Sequence, residues 1–139
     1  MGKKIVIGLI GEDMALRKKV AKVFVDVGFH KTSVNAKTTE LAKYLLPGDI
    51  FPEETIQGIR DRGYNVSSCY WINLVLASVP DDKDLIIIED MQEKDVIDGV
   101  ITPYHIVDDK QPKSANTINA ESKTLEADIH SKIKKIASK

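Results

Sequence analysis

Apolar residues along this chain fall into short unbroken runs that alternate with longer stretches of helical spacing, and the alternation predicts the elements in turn. Residues 4–10, Lys4-Ile5-Val6-Ile7-Gly8-Leu9-Ile10, are a β-branched run that reads as a buried strand, broken by Gly11. From Met14 onward Leu16, Val20, Val23, Phe24 and Val27 recur at helical spacing, with Gly28 as the C′ residue. Residues 30–34 predict a short strand, and residues 37–46 a helix with Leu41, Leu45 and Leu46 apolar, ended by Pro47-Gly48. Pro52-Glu53-Glu54 opens a further helix that carries Ile56, Ile59 and Arg60 to a stop at Gly63. Ser67 or Ser68 caps the next helix, whose Trp71, Ile72, Leu74, Val75, Leu76 and Val79 cover most of its circumference and predict burial. Pro80-Asp81-Asp82 ends it.

Leu85-Ile86-Ile87-Ile88 is the strongest strand, too uniformly apolar for a half-exposed edge. Residues 95–98 predict a short helical turn, 99–107 a strand and 108–116 a loop, and Ser122 or Thr124 caps a final helix carrying Leu125, Ile129, Ile133 and Ile136. The expected fold is therefore α/β, a three-layer, doubly wound parallel sheet of about five strands. Residues 4–10 and 85–88 should lie centrally in it, side by side or one strand apart.

Composition narrows the class. The chain has 139 residues, enough for one domain to bury a core without disulfides or metal. A net charge of −1 gives no basic field to recommend nucleic acid as a partner. The single Cys69 suits a reducing compartment, and with Tyr70 and Trp71 beside it reads as a core residue rather than a nucleophile. No apolar run approaches the roughly 20 residues that span a bilayer, and the first residues do not form a leader. The expectation is a cytoplasmic protein with no membrane association. His30, His105 and His130 fall on different elements without metal-ligand spacing.

Candidate chemistry concentrates in two places. A strand, a glycine turn and a helix form the setting in which a helix N-terminus grips phosphate. The active loop G-x-x-x-x-G-K-[ST] supplies backbone amides, a lysine and a magnesium-binding hydroxyl. Counted from Gly11, the second glycine falls on Leu16, the lysine on Arg17 and the hydroxyl on Lys18, so one diagnostic position in four is kept. The second place is the end of the strong strand, Ile88-Glu89-Asp90-Met91-Gln92. Ligands in such sheets sit beyond the carboxyl ends of the strands, and an acid there can hold magnesium through water.

These residues resemble a known family. Ile7-Gly8-Leu9-Ile10-Gly11, Val20-Ala21-Lys22-Val23-Phe24 and Val27-Gly28-Phe29 are similar to the opening of the P-loop nucleoside and deoxynucleoside monophosphate kinases and of dephospho-coenzyme A kinase. Ile59-Arg60-Asp61-Arg62-Gly63, Tyr70-Trp71-Ile72-Asn73 and the 85–90 segment resemble the deoxynucleoside monophosphate kinases of phages, in order along nearly the whole chain. Thr117-Ile118-Asn119 and Thr124-Leu125-Glu126 look like their last strand and helix. The resemblance implies a single P-loop kinase-like domain with reduced monophosphate-binding (36–63) and lid (108–116) segments. It implies a phosphate-binding loop at Gly11, Glu12, Asp13, Met14, Ala15, Leu16, Arg17 and Lys18, with Arg17 in the lysine position. Asp90 matches the magnesium-holding acid, Arg60 and Arg62 the monophosphate-binding cations, and Asn119 the segment near the base. Gln92 stands where the family has arginine.

Two expectations follow. Glu12 and Asp13 place carboxylates where triphosphate oxygens would approach, and unit charges about 4 Å apart repel by roughly 1 kcal/mol in water and about 4 kcal/mol near a protein surface. Asp13 is also a good N-cap for the Met14 helix, worth ~1 kcal/mol. The favoured expectation is a degenerate, non-catalytic relative of these kinases that binds a nucleotide or a protein partner, with a homo-oligomer open. The alternative is an atypical active kinase using ATP and Mg2+, with Arg17 or Lys18 replacing lysine and Asp90 holding the metal.

Overall fold

The computed structural model describes residues 4–48, 50–112, 114 and 116–138. Five strands, β1 (Ile5–Ile10), β2 (His30–Thr32), β3 (Leu85–Ile88), β4 (Ile101–Val107) and β5 (Thr117–Asn119), form one sheet. Its order is β2-β3-β1-β4-β5 and every pairing is parallel. The two uniformly apolar runs are neighbours near the middle, with Ile7 beside Ile87 in register. Among the described residues there are five α-helices: α1 (Met14–Asp26), α2 (Val34–Leu45), α3 (Glu53–Val66), α4 (Tyr70–Ala77) and α5 (Leu125–Ala137).

Strand alternation sorts the core into two layers. Ile7, Leu9, Ile87, Tyr104 and Ile106 pack with Val20, Ala21 and Phe24 of α1 and Leu125 and Ile129 of α5. Val6, Ile86, Ile88 and Ile101 face the other way, onto Val34 of α2 and Trp71, Ile72 and Val75 of α4. A parallel sheet covered on both faces needs apolar side chains of both parities, which is why these strands do not alternate in polarity. Helix α3 lies against α2 and α4. Among the described residues no helix is long and apolar enough to cross a membrane.

Several boundaries differ from the sequence pattern for physical reasons. Helix α2 starts at Val34 rather than 37, because the Ser33 hydroxyl caps it, accepting from the Ala36 amide at 3.1 Å. Gly63 does not stop α3, which continues to Val66. Instead Gly63 is buried under Trp71, and a Cβ there would collide with the indole ring. Neither Ser67 nor Ser68 caps α4: Cys69 holds that position, and its side chain makes no capping bond to a helix amide. Leu74 of α4, expected to be buried, is exposed. The short helical turn falls at Glu93–Asp95 instead of 95–98, since the Asp95 carboxylate turns back to accept from the Gln92 amide at 2.8 Å. Thr124 precedes α5 without capping it, its hydroxyl reaching the Asp128 side chain at 3.2 Å instead. Lys113 and Ala115 of the loop at 108–116 lie outside the described residues.

Candidate functional site

The chain leaves β1 toward β2 and leaves β4 toward β5, so the sheet's switch point falls between β1 and β4, where the rule for open α/β sheets places ligands. A cleft of about 720 Å³ opens there, lined by Gly11, Glu12, Asp13, Gln92, Glu93 and His105 among others. The volume would take a nucleoside-sized molecule. Asp108 also lines it, so four carboxylates and one imidazole surround the space. The side chains of Glu93 and His105 lie 3.8 Å apart on its wall.

The connection from β1 to α1 is only three residues long, Gly11-Glu12-Asp13. Gly11 allows the tight passage, since a Cβ there would sit 3.3 Å from the Ile106 carbonyl oxygen. Of the eight residues assigned to a phosphate loop, Met14, Ala15, Leu16, Arg17 and Lys18 are already helical. The Asp13 carboxylate accepts from the Leu16 amide at 3.2 Å, and the Asp13 carbonyl accepts from the Arg17 amide at 3.1 Å. The self-capping expected of Asp13 is present. A helix N-terminus presents its first amides to an anion, and here one of them meets a carboxylate of the chain itself. Leu16 is half-buried and packs against the α1–α5 side of the core, whereas Met14 and Lys18 are exposed.

Arg17 and Asp90, assigned to one site from sequence, do come together. Both line a small pocket of about 200 Å³ with Lys18, Ser33, Asn35 and Glu89. Each is engaged within the fold. Arg17 Nη1 donates to the Glu89 carbonyl at 3.3 Å. Asp90 Oδ2 accepts from the Ser33 hydroxyl at 2.6 Å and the Asn35 amide at 2.9 Å, and Oδ1 accepts from the Val34 amide at 2.7 Å. Asp90 thus caps α2 from across the sheet edge, meeting two amides that the helix leaves unpaired.

Arg60 continues the same network and is 1% exposed. Its Nη2 donates to the Asp90 carbonyl at 2.9 Å and to Asp95 Oδ2 at 2.7 Å. Nη1 donates to Asn35 Oδ1 at 2.9 Å, Nε to the Tyr64 hydroxyl at 2.9 Å, and the Trp71 indole donates to the Arg60 carbonyl at 2.7 Å. The fork geometry of guanidinium ties α2, α3 and the segment after β3 into one unit. Burial works against the Arg60 charge, but Tyr64 and Asp95 outweigh it and raise its pKa above the ordinary value. Burial likewise pushes the Tyr64 hydroxyl well above the usual tyrosine range, although Arg60 opposes that shift.

The remaining assigned residues lie apart. Arg62 is exposed, two positions from Arg60 and so on the other side of α3. Asn119 sits at the end of β5, where its Nδ2 donates to Asp109 Oδ1 at 2.8 Å and its Oδ1 accepts from the Glu121 amide at 3.0 Å. Gln92 Nε2 donates to Gln57 Oε1 at 3.0 Å. Among the described residues no three His, Cys, Asp or Glu side chains gather as a metal site. The donor set fits magnesium and a triphosphate poorly, because both Asp90 oxygens are engaged and the larger cleft is walled by carboxylates. Asp95 and Tyr64, absent from the sequence reading, complete the buried network. Compared with known proteins, the chain matches no family model, no curated protein and no solved structure.

Proposed function

We propose that this chain is a non-catalytic, P-loop kinase-like domain that binds a ligand at the carboxyl edge of its sheet without transferring phosphate. The observation that carries this reading is the three-residue turn between β1 and α1, closed by Asp13 at the helix N-terminus. A phosphate cradle needs several free amides around a broad loop, and this three-residue turn lacks that breadth and has one of its amides taken by Asp13. The positions of the magnesium acid and of one monophosphate cation, Asp90 and Arg60, act here as a helix cap and a buried strut. The five-strand parallel order supports the P-loop-like fold, and the 720 Å³ cleft supports a binding role.

The ligand favoured by an acidic wall is a nucleoside or another molecule of low negative charge, in preference to a triphosphate. A thermal-shift series with nucleosides, nucleoside monophosphates and ATP, each with and without magnesium, tests this reading. A ligand at 100 times its dissociation constant stabilises by ~2.7 kcal/mol. Stabilisation by a nucleoside and none by ATP with magnesium is expected, and the reverse order would contradict it.

A further inference from the structure

Two buried polar atoms at the smaller pocket have no hydrogen-bond partner among the described residues: Arg17 Nε, a donor, and Glu89 Oε2, an acceptor. Lys31 Nζ comes no closer to Glu89 Oε2 than 3.7 Å, on an exposed side chain. Arg17 and Glu89 both line the pocket of about 200 Å³. It lies across the first turn of α1 from the larger cleft: Asp13 and Leu16 line the cleft, and Met14, Arg17 and Lys18 line the pocket. The bond from Arg17 Nη1 to the Glu89 carbonyl at 3.3 Å sets the two residues on adjoining walls. Buried polar groups are nearly always paired, so a donor and an acceptor left open at one cavity call for an occupant that answers both.

The charges around the pocket narrow the class of occupant. Asp90 is already met by Ser33, Val34 and Asn35, which leaves Arg17 and Lys18 to attract an anion and Glu89 to attract a cation. A simple anion would face the Glu89 carboxylate, and a simple cation would face the Arg17 guanidinium. A zwitterion meets both with charge-assisted bonds. Size narrows it further. A water occupies about 30 Å³ in the liquid, so the pocket has room for roughly seven water volumes. That suffices for a small amino acid and falls below the ~300 Å³ at which pockets for drug-sized molecules begin. We propose that this pocket binds a small α-amino acid, its carboxylate on Arg17 and Lys18, its ammonium on Glu89 and its side chain against Met14. The site does not depend on what the larger cleft holds.

Isothermal titration calorimetry with glycine, L-alanine, acetate and methylammonium at constant ionic strength tests it. Glycine and L-alanine should bind at millimolar concentration or below. Acetate and methylammonium should each bind at least tenfold more weakly, because each carries one half of the charge pattern. Glu89→Gln should weaken L-alanine at least tenfold and leave acetate no weaker, whereas Arg17→Gln should weaken both. Lys18→Ala, at an exposed position, should weaken L-alanine severalfold and keeps the test open should either other variant fail to fold. No binding of either amino acid would overturn the proposal and leave the two atoms to water. Acetate binding as tightly as L-alanine would overturn it in favour of a plain anion site, and an unchanged affinity in Glu89→Gln or Lys18→Ala would also overturn it.

Discussion

Replacing Asp90 with asparagine separates its roles as cap and as functional acid, because the side chain keeps its shape and loses its charge. In the native fold three donors converge on the carboxylate, two of them backbone amides at the start of α2. The best orientation of an asparagine keeps its carbonyl toward Ser33 and Asn35 and turns its amino group toward the buried Val34 amide. That leaves a buried donor unpaired, a cost of ~1–3 kcal/mol. The two remaining bonds lose their charge assistance, and the favourable charge at the helix N-terminus disappears, for a further ~1–2 kcal/mol. The whole change should cost about 3 kcal/mol, which for a domain of this size lowers Tm by roughly 10 °C. Thermal and urea unfolding followed by circular dichroism measures it. An acid held in place for magnesium behaves differently, since functional groups are commonly retained at a cost to stability. An Asp90→Asn protein as stable as the wild type, or more stable, would refute the reasoning.

Asp13→Ala should lower stability by ~1 kcal/mol through loss of the α1 cap, measured by urea unfolding, while an Asp13→Asn protein keeps most of it. Burial raises the pKa values of Tyr64 and Tyr104, so both stay neutral in the fold beyond the point at which an unfolded tyrosine ionises, about pH 10. Their contribution is fully present below that pH and is lost as pH rises toward the folded values, so stability should decline in alkali. Urea midpoints between about pH 9 and 11 should fall less steeply in Tyr64→Phe than in the wild type, and an identical slope would count against the buried, neutral hydroxyl.

The parts of this molecule that were legible in its sequence are those decided locally or by uniform apolarity. The β1 and β3 runs had to be central because nothing in them suits water, and Asp13 caps the helix that it immediately precedes. The parts that were not legible depend on residues far apart in the chain. Helix α2 begins early because Asp90, 57 residues after Ser33, adds to the Ser33 cap by accepting from its hydroxyl and from the first two amides of the helix. Gly63 resembles a helix stop, yet it is there so that Trp71 can approach α3. Arg60 drew attention as a cation for phosphate, although a signal of its structural role was present: with Ile56, Ile59 and Gly63 it lies on the inward stripe of α3. An arginine on such a stripe needs buried acceptors, and Asp95 supplies one at 2.7 Å. Breaking such a buried pair from one side costs ~3–5 kcal/mol, so the pair has a structural role in the fold.

The most direct measurement is a phosphoryl-transfer assay on the purified protein with ATP, magnesium and a panel of nucleoside and deoxynucleoside monophosphates. Asp13 at the helix N-terminus, a turn of three residues, and Arg17, Lys18 and Gln92 in place of the lysine, hydroxyl and arginine that the resembled kinases use each leave a transferred phosphoryl group less stabilised. Single electrostatic donors in active sites typically govern a factor of ~10² or more in rate, and groups acting together are not additive. The prediction is no diphosphate formation above the no-enzyme background with any acceptor, in a preparation whose folding is verified by its unfolding transition. Steady diphosphate formation that is lost in Arg17→Ala, with its unfolding transition intact, would contradict the account and establish an active kinase.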